Sequence, residues 1–165
     1  MIYLFWLVFT LTISTTHVGF VITGNNVVGL ILALQLDWDS PDVEGSTKLW
    51  NTVISSSGIV GLIIGSFTAG FVVKAGRRKS IILMSIIAVA GIIPTLFLNV
   101  WAIIVGKFIY GLAASVIIVA SSLYLQETIP AEKSATFDFT TNFGVICGMT
   151  INLALGLILP DDDAG

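Results

Sequence analysis

Five apolar stretches, each close to or above the length that crosses a lipid bilayer, fill most of the 165 residues and leave only short polar segments between them. A helix rising ~1.5 Å per residue needs about 20 apolar residues to traverse a hydrocarbon layer ~30 Å thick. By that measure helices are expected at about 4–34, 51–73, 80–98, 101–125 and 136–159. Hydrophobic residues are 56% of the chain and charged residues 10%, against ~25% charged in a soluble domain. The expected fold class is therefore an all-α membrane protein with five transmembrane helices, since a helix satisfies its own backbone where lipid offers no partner. Residues 1–23 lack a basic leader and a small-residue cleavage site, and the apolar run continues to Leu36, so the first stretch reads as a membrane helix and not as a cleaved signal.

Charge sets the sidedness. Lys74, Arg77, Arg78 and Lys79 are four of the seven Lys and Arg residues and sit together between the second and third stretches. The positive-inside bias assigns that turn to the cytoplasm, and the N-terminus with it. The carboxylate-rich segment from Asp37 to Gly45 and the C-terminal run Asp161-Asp162-Asp163 then lie on the other face. A net charge of −3 with one basic patch excludes a nucleic-acid partner. Cys147 is the single cysteine and lies in an apolar run, where it reads as a small core thiol. His17 has no carboxylate or cysteine at ligand spacing, and Gly76-Arg77-Arg78 lacks the ending of a phosphate loop. No metal, no cofactor and no enzyme activity are expected.

Polar and small residues inside the apolar stretches carry the remaining information. Thr23-Gly24-Asn25-Asn26 is expected to interrupt the first helix, a break that belongs against protein or a water-filled cavity. Ser57, Gly61, Gly65 and Ala69 recur every four residues in the second helix, and Gly144, Gly148 and Gly156 stand at multiples of four in the fifth, a spacing that lets a neighbouring backbone approach. About 200° around the fifth helix from Gly144 lies Asn142, beside Thr141 and followed by Val145, Ile146 and Met149. One face packs while the other is suited to line a path. Lys107 stands six residues past Trp101, ~9 Å below the interface. It either snorkels outward or serves a buried ion-pair or coupling role. His17 and Asn142 are either interhelical hydrogen-bonding groups or solute ligands. Asp138 reads as hydrated, and Tyr110, Tyr124, Trp50 and Trp101 as interfacial or packing aromatics.

With those residues in place, the chain resembles the first half of a major facilitator superfamily transporter of the sugar-porter branch. The turn around Gly76-Arg77-Arg78 is similar to that superfamily's Gly-x3-Asp-Arg/Lys-x-Gly-Arg-Arg/Lys motif, with Lys74 at the Arg/Lys position, Ala69 at the first glycine and Val73 at the aspartate. Gly106-Lys107 with Gly111 is similar to Gly-Arg-x-x-x-Gly, with lysine for arginine. Tyr124, Glu127 and Pro130 match Tyr-x-x-Glu-x-x-Pro, while the Arg-Gly that follows in the family falls on Ser134-Ala135. The ungapped spacing from Pro130 puts Asn142 where sugar porters carry a sugar-binding glutamine.

The resemblance implies a solute site that includes Asn142, Thr141, Val145, Ile146, Met149, Thr23 and Asn26. It also implies an inner charge network of Lys74, Gly76, Arg77, Arg78 and Glu127, with Lys107 and His17 as the residues for any coupling. Many proton-coupled sugar porters have an aspartate after the Gly-Tyr of helix one. Here the run is Gly19-Phe20-Val21-Ile22, which favours a facilitator over a symporter. The implied function is alternating-access transport of a small polar organic solute, with a sugar favoured, in the plasma membrane. Residues 1–165 are expected to be a partial N-terminal bundle whose partners are the solute, the bilayer and a missing C-terminal half with a sixth helix. A structural or assembly subunit of a membrane complex is the alternative reading, and self-association into a pseudo-complete transporter a third.

Overall fold

The computed structural model describes residues 2–35, 44–97, 99–129 and 131–158. The carboxylate-rich segment 37–43, Pro130 and the C-terminal run from 159 lie outside these, as do the side chains of Asn26, Lys133, Asp138 and Thr141. Five helices follow one another: α1 Ile2–Gln35, α2 Glu44–Lys74, α3 Arg77–Ile92, α4 Val100–Thr128 and α5 Ala131–Gly156, with a 3₁₀ segment Ile93–Leu96 between α3 and α4. Stretches long and apolar enough to span a membrane are Phe5–Gly24, Leu49–Lys74, Arg77–Leu96 and Val100–Thr128, and α5 adds the shorter apolar helix Asn142–Gly156. This is an all-α, multi-pass membrane protein.

Local chemistry explains where the helices stop. Pro94 has no N–H to donate and its ring clashes with the carbonyl four residues back, so the α-helical part of α3 ends at Ile92 and not near 98. Asn99 then caps α4, its Oδ1 accepting from the Trp101 N–H at 3.1 Å. Strong helix formers Ala131, Glu132 and Lys133 follow Pro130, and α5 accordingly begins at Ala131 and not near 136.

One expectation is overturned. The helix does not break at Thr23–Asn26, because α1 runs unbroken through them. The Thr23 hydroxyl donates to the Gly19 carbonyl at 3.0 Å within its own helix. A glycine costs only ~1 kcal/mol in a helix interior, whereas every backbone group opened to hydrocarbon costs several. The same lipid that would penalise a break keeps this helix closed.

In lipid no hydrophobic effect draws helices together, so close approach of backbones must hold the bundle. α2 and α4 form one tight pair: a Cβ on Gly61 would meet the Phe108 carbonyl, one on Gly65 the Ser115 hydroxyl, and one on Gly111 the Gly58 carbonyl. α1 and α5 form a second pair, and α3 packs on the outside of α4, where Gly91 and Gly106 face each other. α4 is the central element. Its small residues Ala113, Ala114, Ala120 and Ser121 are fully buried and admit neighbours on several sides. Ala69 and Val73, which stand where the family motif has glycine and aspartate, are buried in the same core.

The α2–α3 turn is built on Gly76, whose φ of 122° lies in the region open to glycine. Ser80 ties the turn to both helices, its hydroxyl lying 2.8 Å from the Val72 carbonyl and 2.9 Å from the Gly76 carbonyl so that its one proton is shared between them. Gly76→Ala should therefore lower stability by about 1–3 kcal/mol, the cost of a side chain held in a disallowed backbone region. Thermal unfolding in detergent, monitored by size-exclusion, tests this, and an unchanged midpoint would refute the strain.

Candidate functional site

The charged end of the bundle gathers three elements. Arg77 opens α3, Glu127 closes α4, and the Arg77 Nη2 forms an ion pair with the Glu127 Oε1. Positions 50 residues apart in sequence thus meet because α3 and α4 run antiparallel. The pair is half exposed, at 36% for Arg77 and 50% for Glu127, so screening by water limits its strength. Arg78 and Lys79 are exposed beside it, and Lys74 at the end of α2 lies over the Phe71 ring at 5.5 Å. Of the residues expected in one network, the structure joins Arg77 and Glu127, puts Gly76 in the turn that aims them, and turns Lys74 and Arg78 elsewhere.

Deeper in the bundle, α1, α2 and α4 enclose a cavity of about 40 Å³ lined by Val21, Ile22, Ser55, Lys107 and Tyr110 among others. That volume accommodates water but is far below the ~300–1,000 Å³ of a small-molecule site. Lys107 and Tyr110 stand three residues apart and so share a face of α4. The Tyr110 hydroxyl donates to the His17 backbone carbonyl at 3.1 Å, and its ring meets the His17 ring edge-on at 6.1 Å. Tyr110 is therefore a packing aromatic that bridges α4 to α1. Trp50 and Trp101 meet edge-on at 6.4 Å at the starts of α2 and α4, the end of these helices opposite the basic turn, as interfacial aromatics would.

α5 meets α1 at two of its three spaced glycines. Gly144 and Gly148 are buried against α1, where a Cβ on the former would meet the Thr15 hydroxyl and one on the latter the Thr16 carbonyl. From the other side Gly19 is seated on the Val145 backbone. Asn142 and Ile146 face outward, with Ile146 55% exposed, while Val145 and Met149 are half-buried. Thr23 is half-buried and its hydroxyl is already engaged within α1.

Asn152 is a polar residue that sequence inspection passed over. It is 4% exposed and its Nδ2 donates to the Phe20 carbonyl of α1. Standing at i+8 from Gly144 and i+4 from Gly148, it continues the packing face as a hydrogen-bonded clamp. The signal was available: an amide in an apolar run, the criterion that singled out Asn142.

Comparison with known proteins bears on this geometry. The family described as Sugar (and other) transporter matches residues 3–162. The chain is 30% identical over 123 residues to the Glucose transporter HT1 of Trypanosoma vivax, an alignment covering 69% of this chain and 23% of that protein. It is 32% identical over 133 residues to Inositol transporter 4 of Arabidopsis thaliana, covering 79% and 22%. Against the Solute carrier family 2, facilitated glucose transporter member 3 of Gallus gallus, identity is 28% over 116 residues, covering 67% and 23%. The chain spans about a quarter of the length of these curated relatives.

Proposed function

Because the chain belongs to the sugar transporter family, we propose that it supplies the first five helices of a longer transporter that moves a small polar organic solute by alternating access. A sugar or a related polyol is the substrate class, in keeping with relatives named for glucose, hexose and inositol. The observation that carries this reading is the two-sidedness of α5. One face is sealed to α1 by Gly144 and Gly148, and the other presents Asn142 and Ile146 outward.

Such transporters close a midplane site between two halves that rock against each other. The ~40 Å³ cavity is too small for a solute, so the outward face of α5 needs a second bundle opposite it to enclose one. Val21 supports facilitation over proton symport, since it lines the same cavity as Lys107 at the position where many proton-coupled relatives carry an aspartate. The basic turn at Lys74–Lys79 faces the cytoplasm in this reading, together with the N-terminus.

Asn142→Ala, made in the longer protein, should raise the half-saturation concentration for uptake about tenfold, the equivalent of one lost solute hydrogen bond of ~1–1.5 kcal/mol. Uptake kinetics over a panel of hexoses and polyols, with and without a pH gradient, provide the measurement. Unchanged half-saturation removes Asn142 from the site, and uptake that accelerates with an inward proton gradient refutes facilitation.

A further inference from the structure

Close backbone contacts divide the five helices into two groups. Those at Gly61, Gly65 and Gly111 join α2 to α4, those at Gly91 and Gly106 join α3 to α4, and those at Gly19, Gly144 and Gly148 join α1 to α5. Among the described residues no glycine of either group is seated on a helix of the other. α1 meets α2 and α4, and α5 meets α4, much less extensively than α1 meets α5 or α4 meets α2 and α3. In lipid, where close backbone approach holds helices together, this gives a strong pair and a strong trio with a weaker boundary between them. Both sides of that boundary are helices of the chain itself, so the few contacts across it are independent of what covers the bundle.

The boundary is also underfilled. The ~40 Å³ cavity lies on it, with Val21 and Ile22 of α1 on one wall and Ser55, Lys107 and Tyr110 of the trio on the other. Tyr110 spans it, its hydroxyl donating to the His17 carbonyl at 3.1 Å. Ser121 stands about three turns past Tyr110 on nearly the same face of α4, one turn before Leu125, which packs with Leu11 of α1. Its hydroxyl is fully buried and has no hydrogen-bond partner among the described residues. A buried hydroxyl left unpaired weakens the packing that encloses it. Val18 and Leu11 of α1 complete the contact through apolar side chains, and packed helices joined in that way slide past one another by small steps.

We propose that α1–α5 and α2–α3–α4 are two units that shift against each other along this boundary, with the Tyr110 contact to the His17 carbonyl as the latch that holds the present position. The shift takes place inside one bundle, is separate from the rocking of two halves, and does not depend on which solute is carried. Because the cavity beside Lys107 lies on the boundary, its volume changes with the shift while each unit keeps its own packing.

Pulsed electron double resonance on the full chain in lipid nanodiscs tests this. Cys147→Ser removes the native thiol, and nitroxides replace exposed side chains: Phe9 and Ile86 span the boundary, Phe9 and Ile151 report on the pair, and Ile63 and Ile86 on the trio. Each label of the spanning set thus also serves in a reference set. The Phe9–Ile86 distance distribution should be the broadest of the three. Tyr110→Phe should broaden it further by about 1–2 Å, the size of a helix shift at an interface, and leave both reference distributions unchanged. Ser121→Ala, which removes the unpaired hydroxyl, should narrow it. A spanning distribution no broader than the references overturns the proposal. So does a Tyr110→Phe effect that is absent or shared equally by all three sets, or a Ser121→Ala chain whose spanning distribution does not narrow.

Discussion

Gly148→Leu should part α5 from α1 and leave a bundle that no longer migrates as a monodisperse species. At Gly148 a Cβ would fall on the Thr16 carbonyl and beside the Phe20 N–H, and these are backbone atoms of a continuous helix that cannot rotate aside. Overpacking of a yielding side-chain core costs ~1–3 kcal/mol. Here the whole of α1 must move, the clamp from Asn152 to the Phe20 carbonyl is lost with it, and the cost should exceed that range. Gly148→Ala should show the same sign with a smaller loss. Gly70 is the internal control, since nothing lies within 4 Å of its would-be Cβ. Gly70→Ala should be neutral or stabilising by up to ~1 kcal/mol through helix propensity alone. Thermal midpoints from fluorescence-detected size-exclusion separate the cases. Equal responses at positions 70 and 148 would show that propensity, and not interhelical contact, sets the behaviour of both.

The asymmetry between those two glycines also marks how far sequence reading reaches. A four-residue spacing of small residues is a local pattern, so the packing faces at Gly61, Gly65, Gly144 and Gly148 are visible without coordinates. Which helix each face meets is not local, and the pairing of α1 with α5 rests on contacts more than a hundred residues apart. The expected break at Thr23–Asn26 failed for a different reason. Glycine and asparagine propensities come from water, where an opened backbone is solvated, and inside lipid that solvation is absent. Tyr110 and Asn152 are visible in the sequence as polar groups in apolar runs, but the backbone carbonyls they bond on another helix are encoded by no motif. For the charges, family resemblance joined the arginine pair to Glu127, but it could not say which arginine. The turn at Gly76 decides that by starting α3 at Arg77, which leaves Arg78 exposed beside it.

Exchanging the charges of Arg77 and Glu127 should yield a protein more stable than the original. Arg77 sits in the first turn of α3 and Glu127 in the last turn of α4, so each charge lies at the helix end whose partial charge matches its own sign. The pair offsets this by mutual attraction, yet Arg77 Nε is buried without a hydrogen-bond partner among the described residues. Arg77→Glu alone and Glu127→Arg alone should each destabilise by about 1–2 kcal/mol, a like-charge contact discounted for the exposure of both groups. Together they restore the attraction and reverse both dipole terms, each worth ~0.3–1 kcal/mol. The double variant should therefore exceed the original chain by up to ~2 kcal/mol while either single falls below it. Each dipole term acts between a charge and its own helix end, so the gain is one of folding stability, present whether or not the pair is closed. Thermal midpoints in detergent, read by fluorescence-detected size-exclusion, rank the two single variants, the double variant and the original. A double variant no more stable than either single would remove the dipole argument.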